Sequence, residues 1–78
     1  MTMPLQFDLQ PVPKGNNLRA AGWTAGYMLV VFRSGEKYLY GPEIEEEELK
    51  KILRVPYPDS QFTRAVKAKF KVHKLGAK

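Results

Sequence analysis

The stretch from Tyr27 to Tyr40, YMLVVFRSGEKYLY, constrains the fold more than any other part of the chain. Valine, phenylalanine and tyrosine suit a pleated, half-buried surface, and Ser34-Gly35 stands where a tight turn needs a residue that tolerates positive φ. The spacing predicts two antiparallel strands joined at Arg33 to Glu36. On the first arm Met28, Val30 and Phe32 point to one face, while Tyr27, Leu29 and Val31 point to the other. Both faces are apolar, which predicts a central strand covered on both sides or nearly so. On the second arm Tyr38 and Tyr40 share a face opposite Lys37 and Leu39.

The flanking residues extend this hairpin. Asn16-Asn17 opens a short strand from Leu18 to Trp23, and Thr24-Ala25-Gly26 turns it back into Tyr27, giving a meander. Gly22 marks either a bulge or a close approach to the backbone. Upstream, Pro4, Pro11 and Pro13 make residues 1–15 an extended lead-in, where Leu5, Phe7 and Leu9 alternate with Gln6, Asp8 and Gln10. That run suits a fourth, N-terminal edge strand or a contact with a second copy.

Gly41-Pro42 ends the sheet, and EIEEEELKKILRV then reads as a helix. Leu49, Ile52 and Leu53 form one buried face, and Ile44 is placed to staple against Leu49 if Glu45 is the cap. Glutamates crowd the positive end of the helix dipole and Lys50, Lys51 and Arg54 the negative end. Glu46–Lys50 and Glu47–Lys51 have favourable spacing, worth about 0.2–0.5 kcal/mol each. The acidic run is therefore explained by helix stability rather than by a metal. Val55-Pro56-Tyr57-Pro58 stops this helix, and Asp59 or Ser60 is expected to cap a second one. Phe62, Val66 and Phe70 lie on its apolar face, Arg64, Lys67 and Lys71 on another. It should end near Phe70 to Lys71, leaving Val72 onward as a return onto the core or a basic tail, the latter assigned to 73–78. The expected fold is α+β: a three-stranded antiparallel meander, with the N-terminal strand as an open fourth, followed by two helices packed on one face.

At 78 residues this is one small domain, near the size at which a single core just suffices, so a homodimer would add useful burial. Without cysteine there is neither a disulfide frame nor a thiolate site, which suits a cytoplasmic location. No leader-like run opens the sequence and no segment is apolar enough to span a membrane. The net charge is +5, and residues 56–78 hold Arg64, Lys67, Lys69, Lys71, Lys74 and Lys78 against Asp59 alone, enough to account for the whole surplus. Such a pole attracts polyanions by counterion release.

Catalytic chemistry finds little to work with. His73 is the sole histidine and sits in the basic tail, no serine lies in a nucleophile motif, and no cofactor or metal site is expected. Tyr38 and Tyr40 are the sharper candidates, because sheet aromatics beside cations stack bases in single-strand binders. Packing against the helices is the competing role. Arg64, Lys67, Lys71 and Lys74 would contact phosphates, helped by Arg19, Arg33 and Lys37 if the sheet edge lies near. Trp23 and Tyr27, with Tyr57, suit instead an aromatic patch for a protein partner.

In Asn16-Asn17-Leu18, Gly22-Trp23, the alternating Met28, Val30 and Phe32, the Gly35 turn and Tyr38-Leu39-Tyr40, the chain resembles the KTSC domain. That module takes its name from its place at the C-terminus of some lysyl-tRNA synthetases and also stands alone in bacterial and phage proteins. Ile52-Leu53, Ser60-Gln61-Phe62-Thr63-Arg64 and Val66 continue the likeness, which spans about residues 16–72. What the resemblance implies is RNA, from the synthetase context. The expectation is thus a non-catalytic RNA-binding module acting through its basic helix and sheet aromatics. The alternative is a small phage or bacterial accessory or inhibitor protein that docks on a larger complex through Trp23, Tyr27 and the strand containing Leu5, Phe7 and Leu9.

Overall fold

A computed structural model describes residues 6–75 of the chain. Five strands form one antiparallel sheet in chain order: β1 (Gln10–Pro11), β2 (Leu18–Thr24), β3 (Tyr27–Phe32), β4 (Lys37–Tyr40) and β5 (Val72–Lys74). Between β4 and β5 lie α1 (Glu46–Arg54) and α2 (Pro58–Phe62), and a π-helical turn over Thr63–Lys67 prolongs α2. The α+β meander followed by helices is therefore the fold, with a strand added at each edge.

β3 is central, paired with β2 on one side and β4 on the other. Met28 faces Trp23 and Tyr40, and Val30 faces Ala21 and Tyr38, across these ladders. With Leu18 they make the helix side of the sheet, where Ile44, Leu49, Ile52, Phe62 and Val66 complete the buried core. Val12 joins that core at 2% exposure, so the proline-rich lead-in is part of the same packing unit. Among the described residues the second face of β3 carries no helix; Val31 is buried there, while Tyr27 and Leu29 are half-buried.

The N-terminal strand forms, but later than the alternation suggested. Gln10 and Pro11 pair with Ala21 and Ala20, while residues 6–9 are irregular, and Leu5 lies outside the described residues. The bulge in β2 is at Arg19, since Leu18 and Ala20 face the consecutive residues Phe32 and Val31. The Arg19 carbonyl accepts a hydrogen bond from the Val12 N–H at 2.8 Å, so β1's pairing runs on past the bulge. Gly22 is instead a close approach, because a Cβ there would lie 3.1 Å from the Asp8 carbonyl oxygen. At the β2–β3 turn both central residues are left-handed, Ala25 at φ 51° and Gly26 at φ 89°. That is the turn whose twist suits a two-residue hairpin.

α1 starts as its residues dictate. Glu45 is the cap residue, and Ile44 and Leu49 are both buried on either side of it as the staple requires. Its ion pair differs from expectation: among the described residues Glu47 pairs with Arg54 at 3.3 Å, and neither Glu46–Lys50 nor Glu47–Lys51 closes. Exposed lysines gain little by holding one rotamer, so spacing alone does not make a pair.

The second helix is capped two residues before Asp59, the earlier of the two expected caps. Tyr57 is the cap residue and Pro58 fills the first helical position, where a missing N–H costs nothing. Asp59 is thereby released for another role. The helical segment ends at Lys67 with Ala68 as its cap, earlier than Phe70 to Lys71. Beyond it Phe70 packs on the core and the chain returns to the sheet as β5, with Tyr38, Leu39 and Tyr40 facing Lys74, His73 and Val72. No helix among the described residues is long and apolar enough to cross a membrane.

Candidate nucleic-acid interface

Strand alternation carries Phe32, Tyr38 and Tyr40 to the helix side of the sheet. Phe62 from α2 meets two of them edge-to-face, Tyr40 at 5.2 Å and Phe32 at 6.1 Å between centroids, and Phe32 meets Tyr38 at 5.3 Å. Beside this cluster opens a groove of about 590 Å³. Phe32, Tyr38, Tyr40 and Val72 give it apolar walls; Asn17, Arg33, Ser34 and Glu36 form its polar margin, and Lys67 enters from the π turn.

Lys67 reaches the groove because of how that turn is wound. The Ala68 N–H donates to the Thr63 carbonyl at 3.1 Å, five residues back. A wider turn rotates the chain less per residue, so Arg64 and Lys67 diverge from the face they would share in an α-helix; such turns recur at functional sites. Arg64 instead lines a shallow depression with Asp59, Ser60 and Thr63. Lys71 lies past the helix end and does not line the groove. The single helical face of Arg64, Lys67 and Lys71 is therefore corrected: it assumed unbroken α-winding through residue 71.

The far wall is fixed by a clamp. The Asp59 carboxylate accepts the backbone N–H of Asn16 at 3.1 Å, of Asn17 at 2.8 Å and of Leu18 at 3.4 Å. From the other side Arg33 donates Nε and Nη2 to the Gly15 carbonyl at 3.1 and 3.0 Å. The loop before β2 is held between them, which places Asn17 at the groove margin. Part of the Arg33 guanidinium is thus committed to the fold.

The remaining candidates divide. Lys74, opposite Tyr38, sets Nζ 5.9 Å from that ring's centroid and 3.6 Å from a Glu36 carboxylate oxygen. The Tyr38 hydroxyl donates to the other Glu36 oxygen at 3.3 Å. Tyr38 is half-buried, whereas Tyr40, 3% exposed, offers no face to a base. Burial first, and then the neighbouring Tyr38, raise the Tyr40 pKa above the ordinary tyrosine value. Lys37 pairs with Val31 and so projects from the sheet face opposite the groove. His73 is exposed on that same face.

The aromatic patch weighed for a protein partner does not assemble. Trp23 is on the helix side, where its indole N–H donates to the Ile44 carbonyl at 2.6 Å. Tyr27 lies on the opposite face, and Tyr57, 75% exposed, is at the start of α2. Phe7 is half-buried and Leu9 is 41% exposed.

The groove also uses residues that the sequence did not mark as site candidates: Asn17, Phe32, Ser34, Glu36 and Val72. Glu36 was findable, because it stands two residues before Tyr38 on the same side of one arm. Asn17 and Val72 arrive only through the tertiary fold. No protein-family model matches the chain, and no curated protein does.

Proposed function

We propose that this protein is a non-catalytic nucleic-acid-binding module, for single-stranded RNA above all, acting through the groove between the π turn and the β3–β4 hairpin. One observation carries the reading: Lys67, which forms no ion pair among the described residues, borders a groove walled by the half-buried Tyr38 and by Phe32. A cation beside an accessible aromatic surface is what a phosphate and its base need together. Lys74 adds charge over the Tyr38 ring. The likeness to the KTSC module, which neighbours a tRNA-charging activity in some synthetases, supports the same reading.

Fluorescence anisotropy of short labelled RNA against salt tests it. Affinity should fall with a log–log slope of about −0.7 per phosphate contact. Lys67→Ala should weaken binding and flatten the slope, while Lys37→Ala, on the opposite face, should leave its affinity within twofold. Equal effects of the two, or no binding at low salt, would contradict the groove.

The protein-interaction module keeps one observation in its favour. The helix-free sheet face carries half-buried Leu29 and Leu39, with Leu9 41% and Leu75 47% exposed nearby. A partner retained after nuclease treatment and lost on Leu39→Asp would establish that route.

A further inference from the structure

We infer that the groove also reads the base it holds, selecting an unpaired guanine through the carboxylate of Glu36. This rests on the nucleic-acid reading above and adds a base identity to it. Among the described residues Glu36 is the only acidic side chain lining a groove that Lys67 and Arg33 make positive. A carboxylate so placed repels phosphate, so it weakens backbone binding unless it meets a donor on the ligand.

Its position suits such a donor. One oxygen accepts from the Tyr38 hydroxyl at 3.3 Å, and the other lies 3.6 Å from Lys74 Nζ. Both contacts are long, and each carboxylate oxygen can accept two hydrogen bonds, so both retain capacity. The side chain is 40% exposed, held near the tyrosine ring yet open to the groove. A base lying against Phe32 and Tyr38 would present its hydrogen-bonding edge toward the hairpin.

Among the RNA bases only guanine carries two adjacent donors on that edge, N1–H and the N2 amino group, spaced to match the two oxygens of one carboxylate. Adenine and cytosine set a ring-nitrogen acceptor beside their amino group, and uracil flanks its single N–H with carbonyls. Each of those brings a lone pair against the Glu36 charge. The Asn17 amide, at the same margin, can donate to the guanine O6, and Lys67 remains for the phosphate.

The test is anisotropy at fixed salt with labelled oligouridylates that carry a central guanine, adenine or cytosine, or none. The guanine strand should bind about tenfold tighter than the others, the discrimination that a bidentate pair typically confers. Glu36→Gln, which keeps the side chain's size, should bring that ratio below threefold and tighten the plain oligouridylate. Glu36→Ala should abolish the ratio in the same way. Lys67→Ala should weaken all four strands alike and leave the ratio standing. Base-blind binding by the wild type, or a ratio that survives Glu36→Gln, overturns the inference but not the groove. If no strand binds, both fall. Guanosine monophosphate should bind at least tenfold more weakly than the guanine strand; equal affinity would make a free nucleotide the ligand and overturn the strand.

Discussion

Asp59 is the residue whose removal should reveal most about how the groove is built. Its carboxylate accepts three backbone N–H groups, two at good distances of 2.8 and 3.1 Å and one marginal at 3.4 Å. Hydrogen bonds to a charged acceptor are worth about 1.5–3 kcal/mol each when water cannot take over. The Asn16 and Asn17 bonds are exposed, so water substitutes in part and about 1 kcal/mol each is the fitting figure. Loss of a negative charge in the first turn of a helix adds about 0.3 kcal/mol. Asp59→Ala should therefore cost about 2 kcal/mol, which in a domain of this size lowers the melting temperature by roughly 8–16 °C. Asp59→Asn retains one acceptor oxygen and should cost about half as much. Urea denaturation gives the energies, and amide exchange at Asn17 shows whether the loop itself is released. Because Arg33 grips the same loop at Gly15, the double variant with Arg33→Ala should depart from additivity by at least about 0.5 kcal/mol. A cost below about 0.5 kcal/mol for Asp59→Ala, or an Asn17 amide as protected as before, would refute the clamp.

Three further outcomes follow from the geometry. Ala25 holds a left-handed φ of 51° in the β2–β3 turn, where asparagine is far better tolerated, so Ala25→Asn should stabilise by about 0.5–1 kcal/mol; an unchanged or lower melting temperature contradicts the turn. Trp23→Phe strips the hydrogen bond to the Ile44 carbonyl and should cost about 1–2 kcal/mol, yet leave RNA affinity unchanged. The raised Tyr40 pKa means that its neutral hydroxyl favours the folded state fully below about pH 10 and loses that advantage as pH climbs past the unfolded value and through the folded one. Denaturation midpoints should accordingly fall less steeply above pH 10 in Tyr40→Phe than in the wild type, and parallel curves would count against a buried phenol.

Local chemistry made the central hairpin and α1 legible. Tyr27–Tyr40 alternates around one turn signal, and Ile44 with Leu49 brackets a cap, so each is decided by residues close in sequence. β5 was not legible, because Val72-His73-Lys74 is too short and too polar to announce a strand. It forms where the β4 edge offers partners, as in the Gly41 N–H bond to the Lys71 carbonyl at 3.1 Å and the Leu75 N–H bond to the Lys37 carbonyl at 3.0 Å. Asp59 read as a helix cap because aspartate before an apolar run usually is one; Pro58 took over the helix start and left the carboxylate for a loop some forty residues upstream. The cationic face failed for a related reason. Helical spacing placed Arg64 with Lys67 and Lys71, but the π turn and the early helix end scatter them, and only Lys67 faces the groove. Tyr38 and Tyr40 illustrate the limit of alternation, which gives a shared face but not that Phe62 meets Tyr40 while Tyr38 meets Phe32.

The most direct test of the groove is an amide and side-chain NMR titration of the folded protein with a short guanine-containing single-stranded RNA. The account predicts that the largest shifts gather at Asn17, Phe32, Glu36, Tyr38, Lys67 and Val72. Shifts centred on Leu29, Leu39 and the other residues of the helix-free sheet face, or none at all at low salt, would contradict it.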